Sequence, residues 1–351
     1  MGRTVVITTG GTIASTSDGA GAKVASVSGA ALLAGAQVPA GSEIEVLEAF
    51  AVNSYDMTFE HMDVICRCVR DALADPAVDG VVVAHGTDTT EETAMLADLL
   101  HDDPRPVVLT GAQRSHDEPG TDGPGNLSDA LAVAASPGSR GRGVLVCFAG
   151  QIHPARGTRK VRTTELDAFA DLDHGPLGRV VDGEPVYLRP AAHTPRLVPP
   201  MTTTGAVRVD VVALYPGADA TALDAHVAAG ASGLVLEASG SGNANAVVVE
   251  AVARHVGRGV HVVLSTRVPA GPVRPVYGGG GGGVDLVAAG AIPSGDLRPS
   301  QARVLLAALL ASGASRDDIC SAFQPSPSPT SAPADITPAA PSPVRPTEGE
   351  R

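Results

Sequence analysis

Short, nearly unbroken apolar runs separated by helical patterns constrain this chain more than any other feature. Residues 3–9, 80–84, 106–110 and 143–148 read as strands. Helical patterns follow over 91–100 and 126–135. A strand with one wet face alternates apolar and polar residues, whereas a continuous apolar run needs cover on both faces. Strand-helix-strand alternation therefore predicts right-handed crossovers and an α/β fold with a mostly parallel sheet. A second series follows, with strands at 207–214, 233–237 and 260–264 and helices at 220–229 and 246–256. A further helix is expected over 300–311.

The Pro-rich stretch from Leu188 to Pro200 breaks the pattern. The expected organisation is a larger N-terminal α/β domain over 1–187, a linker over 188–206 and a smaller C-terminal α/β domain over 207–323. Gly278 to Gly283 reads as a flexible segment, and 324–351 as a disordered Pro/Ser/Ala-rich tail with almost nothing to bury. At 351 residues the chain has room for roughly two domains. With 44% hydrophobic residues it can fill a sizeable core. Its 25 basic residues against 38 acidic ones give a formal charge of −13, which argues against nucleic acid or an anionic membrane as partner. Aromatic residues make up 3% and there is no Trp, so a base-stacking platform is not expected.

Cys66, Cys68, Cys147 and Cys320 have neither redox nor zinc-ribbon spacing and read as free thiols. The chain passes from Met1-Gly2-Arg3 straight into a strand, with no signal-peptide core and no run of about 20 apolar residues. A cytoplasmic protein is expected.

Three polar clusters carry the candidate chemistry. The first, Thr9-Gly10-Gly11-Thr12-Ile13-Ala14, follows the first strand. Its glycines suit either a plain βα turn or close approach of a ligand, with the Thr12 hydroxyl at the strand end. It is neither a dinucleotide fingerprint nor a P-loop. The second is His85-Gly86-Thr87-Asp88-Thr89 with Glu91-Glu92-Thr93-Ala94. Thr89 and Glu92 fit a capping box, which leaves Thr87 and Asp88 at a helix N-terminus that favours an anion. A hydroxyl beside a carboxylate there suits acyl transfer. His85, at the end of an apolar strand, reads as structural rather than as a base. The third is Lys160 in Thr158-Arg159-Lys160-Val161-Arg162. It reads either as part of a solvated basic loop or as a desolvated base.

These motifs resemble those of the bacterial-type L-asparaginases, the asparaginase/glutaminase amidohydrolases. The resemblance runs from Thr4 to about Phe323 and rests on Thr-Gly-Gly-Thr-Ile-Ala at 9–14 and His-Gly-Thr-Asp-Thr at 85–89. Ser54-Tyr55-Asp56-Met57, Gly111-Ala112, Asp122-Gly123-Pro124, Gly175-Pro176-Leu177-Gly178, Ser265-Thr266-Arg267-Val268-Pro269 and Gln301-Ala302-Arg303 extend it. It implies hydrolysis of L-asparagine to aspartate and ammonia through a threonine acyl-enzyme, with no metal or organic cofactor. Thr12 matches the nucleophile. Thr87, Asp88 and Lys160 match a second triad that activates water or relays protons, with Asp88 also holding the substrate amino group. Ser54 matches a residue for the substrate carboxylate, and the N–H groups of Thr87 and Ala112 match the oxyanion hole. Asn245 matches a residue that reaches a neighbouring subunit's site. The resemblance also implies a homo-oligomer, a dimer or a tetramer.

The chain departs from the family pattern in three places. Well-known members carry a tyrosine on the loop after the first motif, but residues 18–33 contain none. The acid of the C-terminal domain is missing near 272–278, where Tyr277 stands. Tyr55 replaces the usual Gln beside the serine. The reading therefore looks to Tyr277 of a partner subunit, or to Tyr55, for the phenol. Competing expectations are an amidase for glutamine or another small amide, and a catalytically weak asparagine or aspartate sensor. An RNA-linked amidotransferase subunit would usually carry an extra N-terminal domain.

Overall fold

The structure is a computed structural model that describes residues 2–18, 23–190, 197 and 203–324. Its first half builds an eight-stranded sheet. Five strands run parallel in the spatial order Glu43–Glu48, Arg3–Thr8, Val78–Ala84, Val107–Thr110, Val144–Phe148. In chain order that is 2-1-3-4-5, so the direction of winding reverses between Arg3–Thr8 and Val78–Ala84. Open α/β sheets hold their ligands beyond the strand ends at such a reversal. Gln151–Pro154, Gly178–Val181 and Glu184–Tyr187 add three antiparallel strands at the far edge.

The continuous apolar runs are covered on both faces, as their sequence requires. Val5, Ile7, Val81, Val83, Val107, Leu109, Val144 and Val146 pack on one side, against the helices Phe59–Leu73 and Thr90–Leu100. Val6, Val82, Val108 and Leu145 pack on the other, against Leu127, Ala130 and Leu131 of the helix Gly123–Ala135. The strand Glu43–Glu48 escaped the sequence reading. It is a sheet edge, and its Glu-Ile-Glu-Val-Leu-Glu pattern is only partly buried.

The second half builds a four-stranded parallel sheet in the order Val209–Ala213, Gly233–Ala238, His261–Thr266, Ile292–Pro293. The helix Pro299–Ala311 lies between the two halves. Its Leu305, Leu306 and Leu309 share one core with Val209, Val235 and Val263 of the small sheet and with Met95, Leu96 and Leu99 of Thr90–Leu100. That position explains why both helices are buried nearly all round.

Two expectations are corrected. The Thr89–Glu92 capping box does not form: Thr89 makes no side-chain cap and donates instead to Ser54 O at 2.8 Å. The tertiary acceptor displaces the local one. The second half of the glycine run is also packed rather than loose, while Gly278–Gly280 stay exposed. Its last residue opens the helix Gly283–Ala288, and the Asp285 carboxylate accepts the N–H groups of Gly280 at 2.8 Å and Gly282 at 2.9 Å. A Cβ at Gly282 would lie 1.9 Å from the Tyr277 carbonyl oxygen, so the neighbouring backbone requires the glycine there.

In the 188–206 segment, Leu188 N–H still bonds Leu177 O, and Thr204–Ala206 forms a short turn. The rest of that segment apart from Leu197 and Thr203, and the tail beyond Gln324, are for the most part outside the described residues: 191–196, 198–202 and 325–351.

Gly10 and Gly11 both have positive φ, 93° and 76°. A Cβ on Gly11 would lie 2.3 Å from Gly86 Cα. Replacing Gly11 with Ala combines backbone strain with a backbone collision, each worth about 1–3 kcal/mol. Chemical denaturation of Gly11→Ala should show a loss of about 3 kcal/mol or more.

Candidate active site

Two loops meet at the point where the winding reverses. The Arg3–Thr8 strand runs into Gly10-Gly11 and the short turn Thr12–Ala14. The Val78–Ala84 strand runs into His85-Gly86 and the turn Thr87–Thr89, which leads into the helix Thr90–Leu100. Gly11 touches Gly86 backbone to backbone, so Thr12 and Thr87 each follow directly from the contact. A third segment closes beside them: a Cβ on Gly86 would lie 2.6 Å from Ser54 Oγ.

Thr87 is 3% exposed. Lys160 Nζ donates to Thr87 Oγ1 at 2.8 Å and to Asp88 Oδ1 at 2.7 Å. The Asp88 side chain is half open to solvent and the Lys160 side chain largely covered. Asp88 N–H donates to Ser54 Oγ at 3.2 Å. Because Ser54 accepts there, its own hydroxyl proton stays available to a ligand. A cavity of about 360 Å³ opens here, lined by Asp88, Lys160, Val161, Arg162 and Thr163.

Lys160 arrives from far along the chain, on the hairpin of Thr158–Lys160 and Phe169–Asp171. Lys160 N–H donates to Glu91 Oε2 at 2.7 Å. Gln301, 1% exposed, accepts Gly157 N–H at 2.8 Å and donates to Ala155 O at 2.8 Å and Thr158 O at 3.0 Å. Gln301 Nε2 also reaches Glu91 O, and the Ser300 hydroxyl donates to Glu91 Oε1 at 2.5 Å. The first turn of the C-terminal helix thus fixes the hairpin that carries Lys160.

The Ala112 turn is held on both flanks. Asn126 Nδ2 donates to Gly111 O at 2.9 Å, and the Asp122 carboxylate accepts the N–H groups of Gln113 at 3.0 Å and Arg114 at 2.9 Å. A Cβ on Gly111 would lie 3.5 Å from Thr87 Cγ2, so the residue before Ala112 borders Thr87.

His85 is fully buried. Nδ1–H donates to Gly86 O at 2.7 Å, which leaves Nε2 to accept from Thr93 Oγ1 at 3.0 Å. Burial pushes its pKa down to about 4, only partly offset by the Gly86 bond. It is a neutral structural histidine that shapes the loop, as its position in the sequence suggested.

The other sequence candidates lie apart from this group. The Tyr55 hydroxyl accepts from Asn53 Nδ2 at 2.7 Å, and its ring is exposed. Tyr277 is also exposed; its carbonyl accepts Val284 N–H at 3.0 Å. Asn245 caps the helix Ala246–Val256, accepting Val248 N–H at 3.0 Å and donating to Ala218 O at 2.7 Å. It borders a separate cavity of about 260 Å³ with Tyr215 and Arg267. Gln113, Asn126 and Glu91 were missed as supports of the site. Their signal was modest: polar side chains just past a strand end or in the first turn of a helix.

The comparisons with known proteins agree with this fold. Residues 3–193 match the family described as "Asparaginase, N-terminal", and residues 208–323 match "Glutaminase/Asparaginase C-terminal domain". A probable L-asparaginase of Deinococcus radiodurans is 40% identical over 327 residues, 92% of this chain and 97% of that protein. An L-asparaginase of Bacillus licheniformis is 35% identical over 316 residues, 88% of this chain and 96% of its own. The crystal structure of a probable cytoplasmic L-asparaginase from Campylobacter jejuni superimposes with a TM-score of 0.82 at 30% identity, covering 92% of this chain and 99% of that one. The two-domain α/β fold is thus a known architecture. The chain belongs to the asparaginase family.

Glu92, beside the site, has a buried Oε2 with no partner among the described residues. Burial, and then the neighbouring Glu91 charge, push its pKa up to about 8. A carboxyl raised on folding adds stability below its unfolded pKa, and that stability is lost as pH rises towards 8. Melting temperature against pH should therefore fall between about pH 5 and 8 in the parent. Glu92→Gln should flatten that fall; an unchanged slope would place the titration elsewhere.

Proposed function

We propose that this chain is an L-asparaginase that converts L-asparagine to L-aspartate and ammonia through a threonine acyl-enzyme. The observation that carries the reading is Lys160 bonded to both Thr87 and Asp88, next to the loop that carries Thr12, in a chain of this family. In this reading the Thr12 hydroxyl oxygen attacks the side-chain amide carbon. The C–N bond breaks, and ammonia leaves with the proton that Thr12 gives up. Water then adds to the ester, the bond to Thr12 breaks, and aspartate departs as Thr12 regains a proton.

The remaining roles follow the available hydrogen-bond capacity. Ser54 donates its free proton to the substrate α-carboxylate. The second Asp88 oxygen takes the α-ammonium group. The N–H groups of Thr87 and Ala112 receive the developing oxyanion. Thr87 and Lys160 relay protons to and from the attacking water. Tyr55, exposed and next to Ser54 in the chain, is a further candidate for contact with substrate.

The proposed division is 1–187 and 207–323, joined by 188–206. The proposed setting is cytoplasmic asparagine catabolism by a homo-oligomer, dimer or tetramer, with Asn245 or Tyr277 near a partner's site. Among the described residues no helix is long and apolar enough to cross a membrane.

Ammonia release from L-asparagine and L-glutamine tests the reading. Turnover of asparagine by the parent, lowered about a thousand-fold or more in Thr12→Ala and in Thr87→Ala, is the expected result. Absence of turnover with both amides, while aspartate still raises the melting temperature, would replace the enzyme by a binding protein.

A further inference from the structure

The hydrogen-bond pattern around Thr87 has a direction, and one side chain sets it. Gln113 Nε2 lies 3.2 Å from Thr163 O and 3.1 Å from Glu165 O. Both are backbone carbonyls and can only accept, so the amide nitrogen must face them. That leaves Gln113 Oε1 facing Thr87 Oγ1 at 3.2 Å. An amide oxygen cannot donate, so the Thr87 proton points at Gln113. Lys160 as an ammonium has donors only, so the Thr87 lone pair receives Lys160 Nζ at 2.8 Å. The backbone of Gln113 is fixed as well, with its N–H on the Asp122 carboxylate at 3.0 Å and 3.1 Å. The side chain is anchored at both ends and cannot flip without losing two carbonyl bonds.

We propose that Gln113 is a positioning residue that fixes the direction of the Thr87 proton, holding Lys160 as a hydrogen donor in the resting protein. The consequence separates the two threonines. The Thr87 proton points away from Lys160, so Lys160 cannot take it while Gln113 holds it. Among the described residues Thr12 Oγ1 shares in none of the bonds that engage Thr87, Asp88 and Ser54, which leaves its hydroxyl to attack. This part rests on the asparaginase reading; the direction of the proton does not.

Without the Gln113 acceptor, the Thr87 hydroxyl is free to turn and no longer holds its lone pair on Lys160 Nζ. The ammonium then loses one of its two acceptors and is less well supported. The other charges around Lys160 are the same in parent and variant. They are Asp88, Glu91, Glu92 and Glu237, with Arg159 and Arg162 on its own segment and Arg298 and Arg303 from the C-terminal half.

The sequence makes the test direct, because Lys23 and Lys160 are its only lysines. The 13Cε signals of labelled lysine give two resonances, and Lys23→Arg assigns them. In Gln113→Met the Lys160 resonance should titrate lower than in the parent by about half a pH unit or more. In Gln113→Glu, which gives up the bonds to Thr163 O and Glu165 O but adds a negative charge near Lys160, it should titrate higher. With asparagine, Gln113→Met should lower kcat about ten-fold and leave KM within about two-fold. Its melting temperature should stay near that of the parent, and the alkaline limb of kcat should move to lower pH. An unmoved Lys160 titration in Gln113→Met overturns the proposal whether or not the parent is active. A lowered melting temperature with the titration in place would make Gln113 a packing residue. No turnover by the parent would overturn the asparaginase reading alone, since the NMR comparison needs no substrate.

Discussion

Everything at the site depends on two backbones meeting without side chains between them. Where the sheet reverses its winding, the loops after Arg3–Thr8 and Val78–Ala84 converge, and Gly11 lies against Gly86. A single methyl group at that contact would push the loops apart. With it absent, two hydroxyls that sit 75 residues apart in the chain border one small space. The same contact admits Ser54, which reaches under Gly86 and accepts the Asp88 N–H. A ligand at this point sees donors and acceptors already aimed, so little ordering entropy remains to be lost on binding.

The second requirement is a cation next to Thr87, and no strand end supplies it. Lys160 comes instead on a two-stranded hairpin with little core of its own. Its position is borrowed from the C-terminal half, through Gln301 and Ser300 at the start of the helix Pro299–Ala311. That helix is locked between the two sheets by the core it shares with Thr90–Leu100. The burial that joins the two halves therefore also sets the distance between Lys160 and Thr87. Glu91 sits at the junction, accepting from both Lys160 N–H and Ser300, and its burial raises its pKa. This is a rigid support built of buried polar contacts, and such networks specify one geometry when their members are satisfied.

The sequence reading succeeded where a signal was local. The strand at residues 80–84 and the helix Ala246–Val256 follow from apolar runs and periodicity that need no knowledge of neighbours. His85 was legible as a buried residue because it ends an apolar strand. The reading failed where a distant partner outbid a local one. Thr89 has the spacing of a cap, but Ser54 O is the better acceptor in the folded chain. The glycine run looks flexible by composition, yet Asn245 and Tyr277 lie close enough to Gly281 and Gly282 to exclude side chains there.

By itself the sequence determined the α/β class, the threonine and glycine motifs at the strand ends, and hence the family. Those properties come from hydrophobic period and from residue types whose chemistry is intrinsic. Only the tertiary structure decided which groups touch. It set the Lys160 ammonium on Thr87 and Asp88, Gln301 on the lysine hairpin, and Gln113 on the Thr87 proton. A hydrogen bond has a direction as well as two ends, and that direction depends on the third and fourth groups nearby, which the fold gathers from segments far apart in the chain.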